Sequence, residues 1–296
     1  MRSRLAPFLA LLFTPVLLGQ GVTHVKIAGR DVAVWKPSGK APPAGFPVVL
    51  FSHGFTGCNT QSTFLMEAFA AAGYLAVAPN HKDARCGTAA RSAGHRAGFS
   101  ELRPEHPFDQ PELWSDSTYR DRAEDVRIVL DSVLHGPTFE GVPVDAARIG
   151  ISGHSLGGYT ALGMAGGWSS WKDKRIKAVL ALSPFCNPFV DKGDLAHMAV
   201  PVMYQGGSRD WGITPTVRRL TGAYDKSAAP KCYVEFTDAG HFAWTELNPR
   251  FQPLVKVYSV AFFDRYLKGT TPPDALAALL APPRPANVSA VRADLH

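Results

Sequence analysis

Short apolar runs alternate with helix-periodic stretches along most of the chain. "PVVLFSH" (Pro47–His53), "YLAVAPNH" (Tyr74–His81), "ARIGISGH" (Ala147–His154), "RIKAVLALSP" (Arg175–Pro184) and "VPVMYQGG" (Val200–Gly207) are nearly continuous in apolar residues, and "KCYVEFTD" (Lys231–Asp238) alternates. Runs of this length between turn signals read as strands buried on both faces. Between them, Thr60–Ala72, Tyr119–Leu134, Leu156–Ala165 and Phe251–Leu267 carry helical patterning. Ala123, Val126, Val129, Leu130 and Val133 fall on one face of the second of these, and Gly73 stops the first. Val22–Ile27 and Asp31–Trp35 read as a leading hairpin turning at Gly29. The alternation predicts an α/β fold: a mostly parallel sheet of about eight strands, helices on both faces and an antiparallel edge. In such sheets ligands bind outside the carboxyl ends of the strands.

Three segments break the rhythm. Met1–Arg4 carries two arginines, Leu5–Leu18 is almost wholly apolar, and Gly19 and Gly21 follow. That pattern predicts a secretory signal peptide over residues 1–20. The run is too short to span a bilayer comfortably and is interrupted by Pro7 and Pro15. Lys82–Ser117 is long, polar and rich in Gly, Pro, His and Arg, including His95 and His106. It reads as a rim or lid-like insertion without catalytic residues. Residues 270–296 are Pro/Ala-rich and read as a C-terminal tail or peripheral helix. The expected organisation is a leader over 1–20, one catalytic domain over 21–269 and the tail. The expected location is secreted or periplasmic, with no stable membrane insertion after cleavage.

The formal charge of the 296-residue chain is +6, or +4 without Arg2 and Arg4. Its basic residues are scattered, which speaks against nucleic acid as a partner. The four cysteines match no zinc spacing. Export permits disulfides. Cys58 and Cys86 lie in loops past predicted strand ends on the same side of the sheet and form the candidate pair. Cys186 and Cys232 are predicted at opposite edges and read as free, buried thiols.

The chemistry concentrates at strand ends. Gly153-His154-Ser155-Leu156-Gly157 follows a strand and precedes a helix. A serine in so sharp a turn needs neighbours without Cβ two positions away, and the turn lifts its Oγ clear of the sheet. The Leu156 amide is then free to donate to an oxyanion. "FSHGFTG" (Phe51–Gly57) ends an earlier strand, and the Phe55 amide is the candidate second donor. His53, just before a turn glycine, suits a structural role better than that of base. Asp210 follows the strand "VPVMYQGG", and His241 follows "KCYVEFTD"; together they complete the order Ser…Asp…His. Asp238 is the competing acid.

On these motifs, with "VAPNH", "DRAEDVRIVLDSVL", "GGSRDWGITP" and "DAGHF", the chain resembles the α/β-hydrolases over roughly residues 45–267. Within them it is similar to the platelet-activating-factor acetylhydrolase and dienelactone-hydrolase-like branch, bordering on bacterial cutinase-like polyester hydrolases. The resemblance implies the α/β-hydrolase fold and a serine carboxylester hydrolase, which the expected leader makes a secreted one and which is expected to be a monomer. Such an enzyme acts through an acyl-enzyme on short-acyl, lipid-like or polyester substrates, with no metal or organic cofactor. Dienelactone hydrolases use a cysteine nucleophile, so the serine here argues for ester hydrolysis. By the same resemblance Phe185 lines the acyl cleft; Trp211 and the Phe55 ring are further candidates for substrate contact. The alternatives are a serine peptidase or acyl-peptide hydrolase of the same fold, and a catalytically silent binding module.

Overall fold

The structure, a computed structural model, describes residues 21–85, 103–269 and 274–296. The expected leader, residues 86–102 of the expected rim, and Cys86 therefore lie outside the described residues. Strands β1 (Thr23–Ile27) and β2 (Arg30–Trp35) form the predicted hairpin, and Ala28 and Gly29 make its turn at positive φ. Five of the apolar runs and the alternating one become the rest of the main sheet. They are β3 (Phe46–Ser52), β4 (Leu75–Pro79), β6 (Val142–His154), β7 (Ile176–Leu182), β8 (Val202–Gly207) and β9 (Lys231–Phe236). The short β5 (Thr138–Phe139) pairs only with β6. The order is β1-β2-β4-β3-β6-β7-β8-β9-β10, parallel from β4 to β9 and antiparallel at both edges.

Alternation within each strand divides the core. Val48 and Leu50 of β3 point into one layer, with α2 (Arg120–Val133) and α3 (Leu156–Leu162). Val49 and Phe51 point into the other, with α1 (Thr63–Ala71) and α7 (Gln252–Phe263). Short helices α4 (Asn187–Asp191), α5 (Thr214–Arg218) and α6 (Ala223–Lys226) follow β7 and β8. Because both faces are covered, the parallel strands carry apolar residues on both sides, and this is why they read as continuous runs.

Two stretches depart from the sequence expectation. The stretch expected as a tail or peripheral helix contains the helix α8 (Ala275–Leu280), which buries Leu276 and Leu280, but also the unexpected β10 (Val288–Asp294), which pairs antiparallel with β9. With the short β5, β10 brings the sheet to ten strands among the described residues, against the expected eight or so. An edge strand with one wet face needs few apolar residues, and only Val288 of β10 is buried. The later part of the expected polar rim also enters the core. Trp114 is fully buried, donates Nε1–H to the Pro107 carbonyl (3.0 Å) and packs on Phe185 at 4.6 Å between ring centres.

Candidate active site

The parallel strands all end at one edge, and the predicted residues meet there. Ser155 closes β6 and opens α3 at φ 55°, ψ −118°, a conformation a residue with a Cβ adopts only under constraint. The constraint is close packing. A Cβ on Gly157 would lie 1.9 Å from the Ser52 carbonyl oxygen, and one on Gly153 would lie 2.1 Å from that of Gly157. Gly158 sits against Pro184 just beyond β7, where a Cβ would come within 2.5 Å of the proline ring. Leu156 begins α3, whose first amides have no acceptor inside the helix.

His241 lies in a short helical turn after β9, and its Nε2 is 2.9 Å from Ser155 Oγ. Asp210, in the loop after β8, is buried; its Oδ1 and Oδ2 lie 3.3 and 3.4 Å from His241 Nδ1. Ser183, just past the end of β7, stands between them. Its hydroxyl donates to Asp210 Oδ2 and lies 2.9 Å from His241 Nδ1. Thr214 Oγ1 also donates to Asp210 Oδ2, at 3.3 Å. Asp238, the competing acid, turns outward and pairs with Arg209 at 3.1 Å.

His53 takes the structural place its turn implied. Its Nδ1–H donates to the Gly54 carbonyl (2.7 Å) and its Nε2 accepts from the His81 amide (3.1 Å). Burial, and then the neighbouring Arg122 guanidinium, hold His53 well below the usual histidine range. The Phe55 turn rests on that fully buried arginine. Arg122 Nη1 donates to the His53 carbonyl (2.7 Å) and Nη2 to that of Gly54 (3.3 Å). The same guanidinium grips Asp83 through Nε (3.1 Å) and Nη2 (2.7 Å), and Asp83 Oδ2 accepts from the Thr56 amide (3.1 Å). Burial alone raises the Asp83 carboxyl; the Arg122 charge overcomes this and leaves it below the usual range.

Ser155 and His241 open into a cavity of about 540 Å³ whose aromatic wall comprises Phe55, Phe108, Phe185, Trp211 and Phe242. Phe185 is 2% exposed and wedged between Trp114 and Phe108, whereas Trp211, at 78%, stands in solvent at the mouth. The sequence reading missed Phe108 and Phe242, along with Ser183 and Arg122. Phe108 was hidden in a segment polar on average. Ser183 had one signal, its place at the end of a central strand. Cys186 and Cys232 are free and buried, and burial pushes the Cys186 thiol up to about 12.

A doubly covered, mostly parallel sheet with a serine on a strand–helix elbow, and an aspartate and a histidine past later strand ends, defines the α/β-hydrolase fold. The profile of the PET hydrolase-like family matches residues 47–291, and the chain belongs to that family. The match falls on the polyester-hydrolase side of the sequence resemblance and extends through α8 into β10. The chain is also similar to chlorophyllase type 0 of Chenopodium album, 28% identical over 173 residues, covering 58% of this chain and 43% of that protein. Cutinase est1 of Thermobifida alba is 24% identical over 229 residues, covering 76% of this chain and 62% of its own length. The matched stretch is thus under two thirds of either relative. Among the described residues no helix is long and apolar enough to cross a membrane.

Proposed function

We propose that the protein is a secreted serine carboxylester hydrolase, with Ser155 as nucleophile, His241 as base and Asp210 as acid partner. One observation carries this reading: Ser155 Oγ lies 2.9 Å from His241 Nε2 at a cavity with an aromatic wall. In the first step His241 takes the Ser155 proton as Oγ bonds to the ester carbonyl carbon. Asp210, directly and through the Ser183 hydroxyl, holds the imidazole and stabilises the imidazolium. The amides of Phe55 and Leu156 receive the developing oxyanion, each donor lowering the barrier by about 3 kcal/mol. The imidazolium then protonates the departing alkoxide. Water, deprotonated by His241, cleaves the acyl-enzyme and frees the acid.

The buried Phe185 suits the wall of a short or flat acyl site. The exposed Trp211 and Phe242 suit a surface on which the rest of a lipid-like or polyester substrate lies. The names of the two relatives, a cutinase and a chlorophyllase, support esters as the class. The intact serine–histidine contact supports catalysis over silent binding. With Cys186 and Cys232 free, the cysteine left for Cys58 is Cys86, and peptide mapping without reductant checks that pair.

The experiment is a p-nitrophenyl ester series from C2 to C12. The wild type is expected to cleave it with a preference for short acyl chains, and Ser155→Ala to lose the activity. No hydrolysis at any length, or equal hydrolysis by Ser155→Ala, refutes the reading.

A further inference from the structure

We propose that Gln61 is a positioning residue that ties the oxyanion turn, the nucleophile elbow and the base together through one directed chain of hydrogen bonds, and so fixes His154 as its Nε2–H tautomer. The inference rests on the esterase reading for its catalytic meaning, while the tautomer stands on geometry alone.

The chain is read by elimination of donors. The Gly54 backbone N–H lies 3.0 Å from the side-chain oxygen of Gln61. A backbone N–H only donates, so it must face the amide oxygen, and this sets the orientation of the Gln61 amide. The other end of that amide is then an NH2 donor, 3.1 Å from His154 Nδ1. Two donors cannot face each other, so Nδ1 carries no proton. His154 Nε2 lies 2.8 Å from the His241 carbonyl oxygen, which only accepts, so Nε2 carries the hydrogen. Every bond from Gly54 to His241 therefore points the same way.

The anchors are the working parts of the site. Gly54 precedes Phe55, His154 precedes Ser155, and His241 is the base. Gln61, from the loop before α1, bonds to Gly54 and His154, and the His154 ring carries the chain on to His241, so the chain sets the spacing of oxyanion donor, nucleophile and base. The fit is close: a Cβ on Gly54 would lie 3.3 Å from His154 Nδ1 and 3.4 Å from the Gln61 oxygen.

The titratable groups facing His154 are His241, at 4.9 Å between ring centres, and Asp210; Trp244 stacks against His154 at 6.2 Å. Burial first, and then His241, push His154 down to about 3, in keeping with a ring that stays neutral.

Gln61→Glu is the discriminating variant. It keeps an acceptor for the Gly54 amide but removes the donor to Nδ1. His154 and the new carboxyl can then satisfy both neighbours only by taking up one proton between them, which places a titrating pair beside the base. The expected result is a kcat/KM–pH profile displaced to the acid side, with loss of rate as pH rises through the titration of that pair. Gln61→Ala is expected to lower kcat about 10- to 100-fold, the scale of a misplacement of about 1 Å, with KM nearly unchanged. In the wild type, nitrogen-15 NMR is expected to show His154 neutral and protonated at Nε2 from pH 5 to 9. A Gln61→Glu profile that superimposes on the wild type, or an Nδ1–H or imidazolium His154 in the wild type at pH 7, overturns the proposal. A merely structural Gln61 lowers thermal stability without moving the profile. If the wild type cleaves no ester, the functional reading fails, and the NMR result still decides the tautomer.

Discussion

Asp210 and Asp238 both stand past the ends of strands, and their surroundings separate them. Asp210 is 4% exposed, receives two hydroxyl donors and faces His241 Nδ1. Asp238 has a side chain 41% exposed, and its charge is shared with Arg209 and screened by water. Asp210→Asn is therefore expected to lower kcat on the order of 10⁴-fold. Asp238→Asn is expected to stay within about twofold, as an exposed ion pair contributes little. Esterase assays on the two variants check this, and the reverse order reassigns the acid. Ser155, Asp210 and His241 were legible in the sequence because each is a reactive side chain just past an apolar run. Gln61 and Arg122 were not, because their bonds reach backbone groups and side chains distant in sequence, which no local motif records. Ser183 was not, because its one signal, a place just past a central strand, does not set a lone serine beside a proline apart.

At the scale of elements, legibility followed burial. The central strands are covered on both faces and wrote themselves as unbroken apolar runs. Helix α2 showed its single buried face through Val126, Val129, Leu130 and Val133. β10 lies at an edge, follows the Pro-rich stretch 282–285 and buries one residue, so nothing in its composition announced a strand. The segment before α2 was read only as a rim, without its anchors. Its polar average concealed Trp114 and Phe108, whose rings pack behind Phe185 and shape the cavity wall. An average over a long loop loses single anchors, and here an anchor decides what the loop does.

At the scale of the molecule, the buried histidines His53, His81 and His154 link stability to pH. Burial above all holds these three below the usual histidine range. The unfolded chain takes up their protons near pH 6.5, while the folded chain resists until lower pH. Their contribution is thus fully present above about 6.5 and falls as pH drops, by up to about 1.4 kcal/mol per pH unit for each group. Asp83, lowered by Arg122, adds loss in the same direction at more acid pH, whereas Asp121 and Asp125, raised by burial, oppose it where they titrate. Urea unfolding is expected to give a lower midpoint at pH 5 than at pH 8. Equal midpoints contradict the neutral histidines. All of these groups lie under or beside one edge of the sheet, and the claim that joins them is that Ser155 is a nucleophile activated by His241. The direct measurement is intact mass and peptide mapping after treatment with a p-nitrophenyl alkylphosphonate. One phosphonyl group on Ser155, with one p-nitrophenolate released per chain and neither seen in Ser155→Ala, is the predicted result. No adduct, or an adduct on another residue formed equally in Ser155→Ala, contradicts it.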